Sequence, residues 1–354
     1  MSPPPRRPQP PPDLRASRAR GALLGLAVGD ALGATNEFKR LQAPDFPALV
    51  DGPLVDMVGG GPHRVQPGQV TDDTQMAACL AASLLTVQAF SPEDVAKRYR
   101  AWQPHAFDIG NQTAQVLELM ASRGWERAAR ELWLQSGQKP AGNGSLMRTA
   151  PIGVYFANAA DDRVRASLED SALTHFDPRC QLACAAFNGA IAHAVTATGV
   201  LKTEALVSAA ERATSLGAAT LAKREPTVVA EIQDAARCVR EDLAFAKKAD
   251  PQLYGPDLRF FDQQGFVRIA FRLAFWELLH APSFEAALLD VVNRGADSDT
   301  NGAITGALLG AFHGDEQIPG RWRGPVVAAL EGKRTPLADA YHPRQLLRLV
   351  EDNR

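Results

Sequence analysis

The chain has 354 residues, with 38 Lys and Arg against 40 Asp and Glu, and a formal net charge of −2. This balance, with charged residues at only 22%, argues against binding to nucleic acid or to an anionic membrane, and it favours small molecules or proteins as partners. The length suffices for one large domain with its own core.

The first 14 residues, MSPPPRRPQPPPDL, are dominated by proline. Proline has no amide hydrogen to donate, so we predict a disordered or polyproline tail over 1–14 and a single domain over 15–354. No apolar run of the signal-peptide kind follows the tail's basic residues. The later run from Gly21 to Ala34 is interrupted by Asp30 and is too short to span a bilayer, so we expect no membrane segment.

Glycine recurs at every fourth position in two apolar segments that are far apart in the chain. The positions are Gly21, Gly25, Gly29 and Gly33, and then Gly302, Gly306 and Gly310. A glycine costs up to about 1 kcal/mol inside a helix, so several in register indicate unusually close packing against a neighbour. We predict that these two helices are central and contact each other.

Asp30 lies in the first of these helices and Glu37 follows its end. A carboxylate in apolar surroundings needs a partner, because burying it unpaired is costly. A metal ion or a buried hydrogen-bond network would supply one. Residues 44–68, which contain Gly59-Gly60-Gly61-Pro62-His63, then form a long loop that we interpret as a functional lid.

Two similar acidic clusters each precede an apolar, helix-forming run: Thr71-Asp72-Asp73-Thr74 and Asp297-Ser298-Asp299-Thr300. One such cluster alone is most simply explained as a helix cap, since Thr and Asp accept hydrogen bonds from free N–H groups. Two copies bring together four carboxylates and several hydroxyls, which are hard oxygen ligands. We therefore predict a divalent cation, or a pair of them, between the clusters.

Other segments carry polar residues at predicted helix boundaries. Asp108 is a plausible N-cap, and His175 precedes a helix, where a cap or a surface position is commoner than catalysis. The loop from Lys139 to Arg148 exposes backbone N–H groups that could receive a phosphate or ribose oxygen, although a plain turn is the more frequent outcome.

The four cysteines all lie in apolar, helix-like segments, which favours free buried thiols and a reducing, cytoplasmic setting. Cys180 and Cys184 near His175 could bind a soft metal, but no second pair completes a tetrahedral site. Apolar residues recur at helical spacing along most of the chain, with about ten helices and no convincing strand. We therefore predict an all-α fold without an internal repeat or linker.

Taken in order, several stretches resemble the ADP-ribosylglycohydrolase family, especially the bacterial branch typified by dinitrogenase reductase-activating glycohydrolase. They run from about residue 20 to 325 and are GALLGLAVGDALGATNEF, PGQVTDDTQMA, FDIGNQT, GNGSLMRTAPIG, THFDPRC and NRGADSDTNGAITGALLGAFHG. The resemblance implies a single compact orthogonal helical domain of that family's type. It also implies a centre of two divalent cations, Mg²⁺ or Mn²⁺, that hydrolyses the bond between ADP-ribose and its acceptor.

The resemblance also implies roles for particular residues. The implied metal ligands are Thr71, Asp72, Asp73, Asp297, Asp299 and Thr300. The implied substrate-binding residues are Asn111, Asn143, Gly144, Ser145, Met147, Arg148 and His175. Asp108 lines the scissile bond and Glu37 the mouth of the site, so both are expected to act as acid or base. Phe266 stands where relatives often carry Tyr, and the segment 219–264 is long and charged, which bears on the adenine contact and on the acceptor.

The expected reaction is release of ADP-ribose from a protein side chain, with arginine the leading acceptor. One alternative is hydrolysis of a free ADP-ribosylated small molecule or nucleobase, such as O-acetyl-ADP-ribose. The other is a non-catalytic structural or binding relative, against which the intact acidic clusters count. The sequence leaves the oligomeric state open, with a monomer favoured.

Overall fold

A computed structural model describes residues 14–41 and 54–351. Over those ranges the chain forms 15 α-helices and no β-strand, which confirms the predicted all-α fold. The helices are α1 (Leu14–Gly33), α2 (Asp72–Val87), α3 (Pro92–Trp102), α4 (Asn111–Arg123), α5 (Ala128–Gln135), α6 (Ala150–Tyr155), α7 (Ala160–Thr174), α8 (Pro178–Thr196), α9 (Thr203–Arg224), α10 (Val229–Ala246), α11 (Val267–His280), α12 (Phe284–Asn293), α13 (Ser298–His313), α14 (Gly320–Ala328) and α15 (Arg344–Glu351).

The count of about ten helices expected from the sequence was low. Helices such as α5 and α6 have only eight and six residues, too few for a helical repeat to stand out. The predicted tail of residues 1–14 lies outside the described ranges except for Leu14, which begins α1. Residues 42–53, which include the first ten residues of the predicted lid (44–53), also lie outside them. None of the described helices is long and apolar enough to cross a bilayer.

The two glycine-bearing helices, α1 and α13, pack against each other in antiparallel fashion. Gly21 faces Gly310, Gly25 faces Gly306 and Gly29 faces Gly302, each within contact distance of the other's backbone carbonyl. Any side chain at these positions would separate the helices, so glycine is required for the close approach. This confirms the predicted contact between the two helices at the centre of the fold.

The C-terminal end of α1 is tied to the N-terminal end of α13. The backbone N–H of Phe38 donates to the carbonyl of Ala296 at 2.6 Å, and the N–H of Ala296 donates to that of Lys39 at 2.8 Å. The Ser298 hydroxyl donates to the carbonyl of Gly33 at 2.7 Å. These bonds hold Glu37 and the second acidic cluster at the same end of the helix pair.

The described part of the predicted lid is held by a tight turn. Gly60 and Val65 exchange two backbone hydrogen bonds of 2.8 and 3.0 Å, and Gly59, Gly60 and Gly61 all have positive φ. A Cβ atom on Gly61 would lie 2.0 Å from the carbonyl oxygen of Ala34, so the turn packs directly on the end of α1. The turn therefore presents His63 at a defined place beside the helix pair.

Candidate active site

Asp30 joins the first acidic cluster to the central helices. Its carboxylate is buried and accepts hydrogen bonds from the N–H and hydroxyl of Thr71, at 3.0 and 2.9 Å, and from the N–H and hydroxyl of Thr74. Burial raises the pKa of Asp30 to about 6, and the four donors oppose that rise. The buried Asp30 carboxylate was expected to have either a metal ion or a hydrogen-bond network as its partner. The structure shows the hydrogen-bond network, and this network fixes the start of α2.

The side chains at the N-cap positions of the two acidic clusters do not cap their helices, so the helix-cap explanation fails there. Thr71 and Asp297 occupy the N-caps of α2 and α13, but neither side chain makes a capping hydrogen bond. The Thr71 hydroxyl is directed to Asp30, and Asp297 Oδ2 accepts from the side-chain amide of Asn143 at 2.7 Å. Asp108 does not cap α4 either, since the N-cap there is Gly110.

A cavity of about 550 Å³ opens over the junction of α1, α2 and α13. Most of the residues that the resemblance assigned to the site line this cavity. Those on its wall are Glu37, Asp72, Asp108, Asn111, Asn143, Gly144, Met147, His175, Asp297, Asp299 and Thr300. Thr71 and Asp73 lie fully buried behind this wall, where the Thr71 hydroxyl oxygen is 3.1 Å from Asp73 Oδ2.

The glycine loop before α6 divides into residues that face the cavity and residues that brace it. Asn143 faces the cavity, and its backbone N–H donates to the carbonyl of Gly265 at 2.9 Å, which places the loop against the start of α11. Arg148 is fully buried, bonded to Asp170 through Nε at 3.2 Å and to the carbonyl of Gly144 through a terminal nitrogen at 3.3 Å. Ser145 is also buried, 2.9 Å from the Ser171 hydroxyl. Arg148 and Ser145 therefore support the loop from below.

His175 packs directly beneath the glycine loop. A Cβ atom on Gly144 would lie 2.8 Å from its ring, so only glycine allows this contact. Its Nδ1 lies 2.8 Å from the Thr174 hydroxyl. Burial and the positive charge of Arg148 lower the pKa of His175 to about 3, so the ring is neutral at physiological pH.

The acids Glu37 and Asp108 meet at His63. The His63 Nε2 atom lies 3.3 Å from Glu37 Oε2 and 3.4 Å from Asp108 Oδ2. Burial, with the charges of Asp108 and Asp297, raises the pKa of Glu37 to about 9. Burial also raises the pKa of Asp108, while the nearby His63 opposes the shift. Glu37 therefore retains a proton more readily than an ordinary carboxyl group.

The acidic clusters have the chemistry of a site for hard divalent cations. Burial and mutual repulsion raise the pKa values of Asp72, Asp73 and Asp299 well above their ordinary range. Asp73 Oδ1 is buried and accepts no hydrogen bond. Carboxylate and hydroxyl oxygens suit Mg²⁺ and Mn²⁺, and positive charge would relieve the repulsion.

Sequence reasoning left two residues, Asp30 and His63, out of the site. Asp30 had a detectable signal, since it is an acid inside a glycine-patterned apolar helix. His63 had a weaker one, a single histidine in the glycine-rich loop just before the first cluster. His63 contacts Asp108, 45 positions later in the chain, only because of the geometry of its turn. The residues next to His63 in the sequence therefore give no sign of this contact.

Comparisons with known proteins match nearly the whole chain to ADP-ribosylglycohydrolases. The family model described as ADP-ribosylglycohydrolase matches residues 10–352. The ADP-ribosylarginine hydrolase Tri1 of Serratia proteamaculans is 29% identical over 320 residues, which cover 88% of this chain and 75% of that protein. The ADP-ribosyl-(dinitrogen reductase) glycohydrolase of Rhodospirillum rubrum is 28% identical over 328 residues, covering 91% and 95%. A solved structure described as an ADP-ribosylglycohydrolase-related protein complex superimposes with a TM-score of 0.68 at 29% identity, covering 96% of this chain and 98% of that one.

Proposed function

The chain belongs to the ADP-ribosylglycohydrolase family of enzymes, and from that membership we propose that it hydrolyses the glycosidic bond between ADP-ribose and a protein side chain, with arginine as the acceptor. The acceptor is the one named for the Serratia relative. The observation that carries the proposal is one cavity whose wall includes residues of both acidic clusters together with Glu37 and Asp108. The cluster residues on that wall are Asp72, Asp297, Asp299 and Thr300.

The two acidic clusters would hold a pair of Mg²⁺ or Mn²⁺ ions. The proposed ligands are Thr71, Asp72, Asp73, Asp297, Asp299 and Thr300. Bound there, the ions would supply positive charge that orients the ribose hydroxyls and polarises a water molecule. Asp30 would not be a ligand, because both of its oxygens already accept hydrogen bonds from Thr71 and Thr74. It would instead hold the start of α2 in place.

Glu37 and Asp108 would handle the protons. Glu37 holds its proton at neutral pH because of its raised pKa, so we assign it as the acid that protonates the departing acceptor atom. The bond to C1″ then breaks with its electron pair passing to the acceptor, through an oxocarbenium-like state. Asp108, which faces the cavity, takes a proton from the water whose oxygen bonds to C1″. The products are free ADP-ribose and the unmodified side chain.

The glycine loop and His175 would form the floor on which the substrate lies. Asn143 is held on one side by Gly265 and on the other by Asp297, which leaves its loop rigid at the cavity wall. His175 is neutral and buried, so it would orient polar groups of the substrate without adding charge. A fixed floor reduces the entropy lost when the scissile bond is positioned.

A panel of substrates tests the proposal. Arginine-, serine- and base-linked ADP-ribose and O-acetyl-ADP-ribose are each incubated with the protein and Mg²⁺ or Mn²⁺, and released ADP-ribose is measured. We expect release from the arginine linkage, its loss in Asp108→Asn, and its retention in Asp234→Asn, which changes an exposed acid outside the cavity. Release from a different linkage alone would reassign the acceptor, and release from none would refute the proposal.

A further inference from the structure

His63 carries an imidazole, a common metal ligand, and the proposed reaction does not use it. It sits on the turn between Gly60 and Val65, whose backbone hydrogen bonds and contact with Ala34 fix its position. Its ring packs at a tilt against Phe107, with centroids 5.9 Å apart. The imidazole is thus held in place before any ligand arrives, which is how effective metal sites are built.

The contacts of His63 Nε2 are not those of a hydrogen bond. The atom is buried and lies 3.3 and 3.4 Å from oxygens of Glu37 and Asp108, yet it has hydrogen-bond geometry to neither. Glu37 Oε2 is also buried without a hydrogen bond, on a side chain only 4% exposed. A buried carboxyl oxygen without a hydrogen-bond partner is costly, and here it lies 3.3 Å from an imidazole nitrogen.

Two of the three distances between these ligand atoms match the spacing around a tetrahedral metal ion. In the described part of the chain, one group of three acidic, histidine or cysteine side chains brings its ligand atoms within 4.8 Å of one another, and it consists of Glu37, His63 and Asp108. Ligands about 2.0–2.1 Å from a tetrahedral ion stand about 3.3–3.4 Å apart, whereas octahedral ligands at that bond length stand about 3.0 Å apart. The two nitrogen-to-oxygen distances agree with the tetrahedral value.

We propose that Glu37, His63 and Asp108 form a binding site for a zinc-class transition-metal ion, distinct from the pair of oxygen-ligand sites at the acidic clusters. One imidazole with two carboxylates is a ligand set that suits Zn²⁺, whereas Mg²⁺ favours oxygen ligands alone. Three protein ligands leave the fourth tetrahedral position open toward the cavity.

Occupation of this site would inhibit hydrolysis. The ion would bind the two carboxyl groups that we assigned to proton transfer, so Glu37 could no longer donate a proton nor Asp108 accept one. This consequence rests on the proposed function, whereas the binding itself does not. Zinc would therefore act as an inhibitor of an enzyme that is active with Mg²⁺.

Cobalt absorption tests the binding directly, because tetrahedral Co²⁺ gives a much stronger visible band than octahedral Co²⁺. One equivalent of Co²⁺ is added to the full-length protein in excess Mg²⁺. We expect the intense band in the wild type and in the control His105→Ala, which removes an exposed histidine, and its loss in His63→Ala and Glu37→Gln. Melting curves establish that each variant is folded. A band that survives in folded His63→Ala, or that is absent from the wild type, overturns the site.

Zinc inhibition is measured on the same samples with arginine-linked ADP-ribose and Mg²⁺. Removing a residue that only hydrogen-bonds to a metal ligand typically lowers metal affinity about 10–100-fold, and removing a ligand itself should lower it more. The His63→Ala variant should therefore need more than about 100-fold more Zn²⁺ than the wild type for half inhibition. If Zn²⁺ inhibits the wild type and His63→Ala at the same concentration, the inhibitory role of this site is overturned. A cobalt band without any hydrolysis supports the metal site and refutes the proposed function. Hydrolysis without a band supports the function and refutes the site.

Discussion

Gly25 of α1 and Gly306 of α13 meet backbone to backbone, and a Cβ atom on either residue would lie 2.1 Å from the carbonyl oxygen of the other. This distance is far below the 3.0 Å limit that real Cβ contacts respect. The helix pair cannot separate locally without moving the residues at its end. Those residues include Asp297, Asp299 and Glu37, so the packing of the two helices and the geometry of the cavity are coupled.

Replacement of Gly306 by Ala should destabilise the protein, and replacement by Leu should do so more severely. Overpacking costs about 1–3 kcal/mol, and here the clash is with backbone that cannot rotate away. Gly320→Ala is the matched control, because a Cβ there meets no atom within 4 Å. Urea unfolding and Mn²⁺ titration measure stability and metal affinity. A Gly306→Leu variant as stable and as metal-competent as the wild type would contradict the coupling.

Asp30→Asn should weaken both stability and metal binding, although Asp30 is not a proposed ligand. The amide nitrogen of Asn donates and cannot accept, so at least one of the hydrogen bonds that Asp30 accepts from Thr71 and Thr74 would be lost or reversed. We expect a loss of about 1–3 kcal/mol in the free energy of unfolding. Thermal melting with and without Mn²⁺ measures it. If metal affinity stays unchanged while stability falls, Asp30 supports the fold alone.

Asp297→Asn should leave the fold intact and reduce turnover by more than about 100-fold, since it removes one charge from the proposed ligand set. The amide can still meet Asn143, which limits the structural effect. Circular dichroism checks the helices, and release of ADP-ribose checks the rate. Full activity in this variant would mean that the second cluster binds no essential metal.

If the proposed centre is correct, two metal ions should bind between the acidic clusters, about 3.5–4 Å apart, which is the separation typical of two-metal hydrolases. The six proposed ligands come from the starts of α2 and α13. Hydrogen bonds tie the first of these to Asp30 of α1 and the second, through Ala296, to Phe38 and Lys39 just after α1. Anomalous diffraction from manganese-soaked crystals locates the ions. A single ion, or ions bound elsewhere, would rule out the paired centre.

The metal-free protein should lose stability as the pH rises from 7 to 9. The pKa of Glu37 is about 9 in the folded chain, against 4.5 as its ordinary value, so over this range the folded state binds more protons than the unfolded state. Stability then falls with rising pH, and the raised pKa values of Asp72, Asp73 and Asp299 act in the same direction. Glu37→Gln should reduce the slope, and Mg²⁺ should also reduce it by stabilising the ionised carboxylates. Melting temperatures measured from pH 7 to 9 test this prediction. If neither Glu37→Gln nor Mg²⁺ changes the slope of melting temperature against pH, the prediction is contradicted.

Periodicity and composition determined the all-α class and the contact between α1 and α13. Both follow from local rules, since the face of a helix repeats every three to four residues and glycine every fourth residue marks a face without side chains. The two acidic clusters were likewise visible as a repeated pattern of residues 71–74 and 297–300. Helix number was underestimated in part because helices such as α6 are too short to show a period.

Only the tertiary structure decided which polar residues meet. Asp30 bonds to Thr71 and Thr74 across 41 and 44 positions, and His63 lies between Glu37 and Asp108, because helix packing and a turn with positive φ bring these segments together. The same holds in the glycine loop, where Asn143 lines the cavity and Arg148 is buried. Arg148 is drawn inward by a bond to Asp170, 22 residues away. Such contacts depend on three-dimensional distances that residue spacing along the chain does not encode.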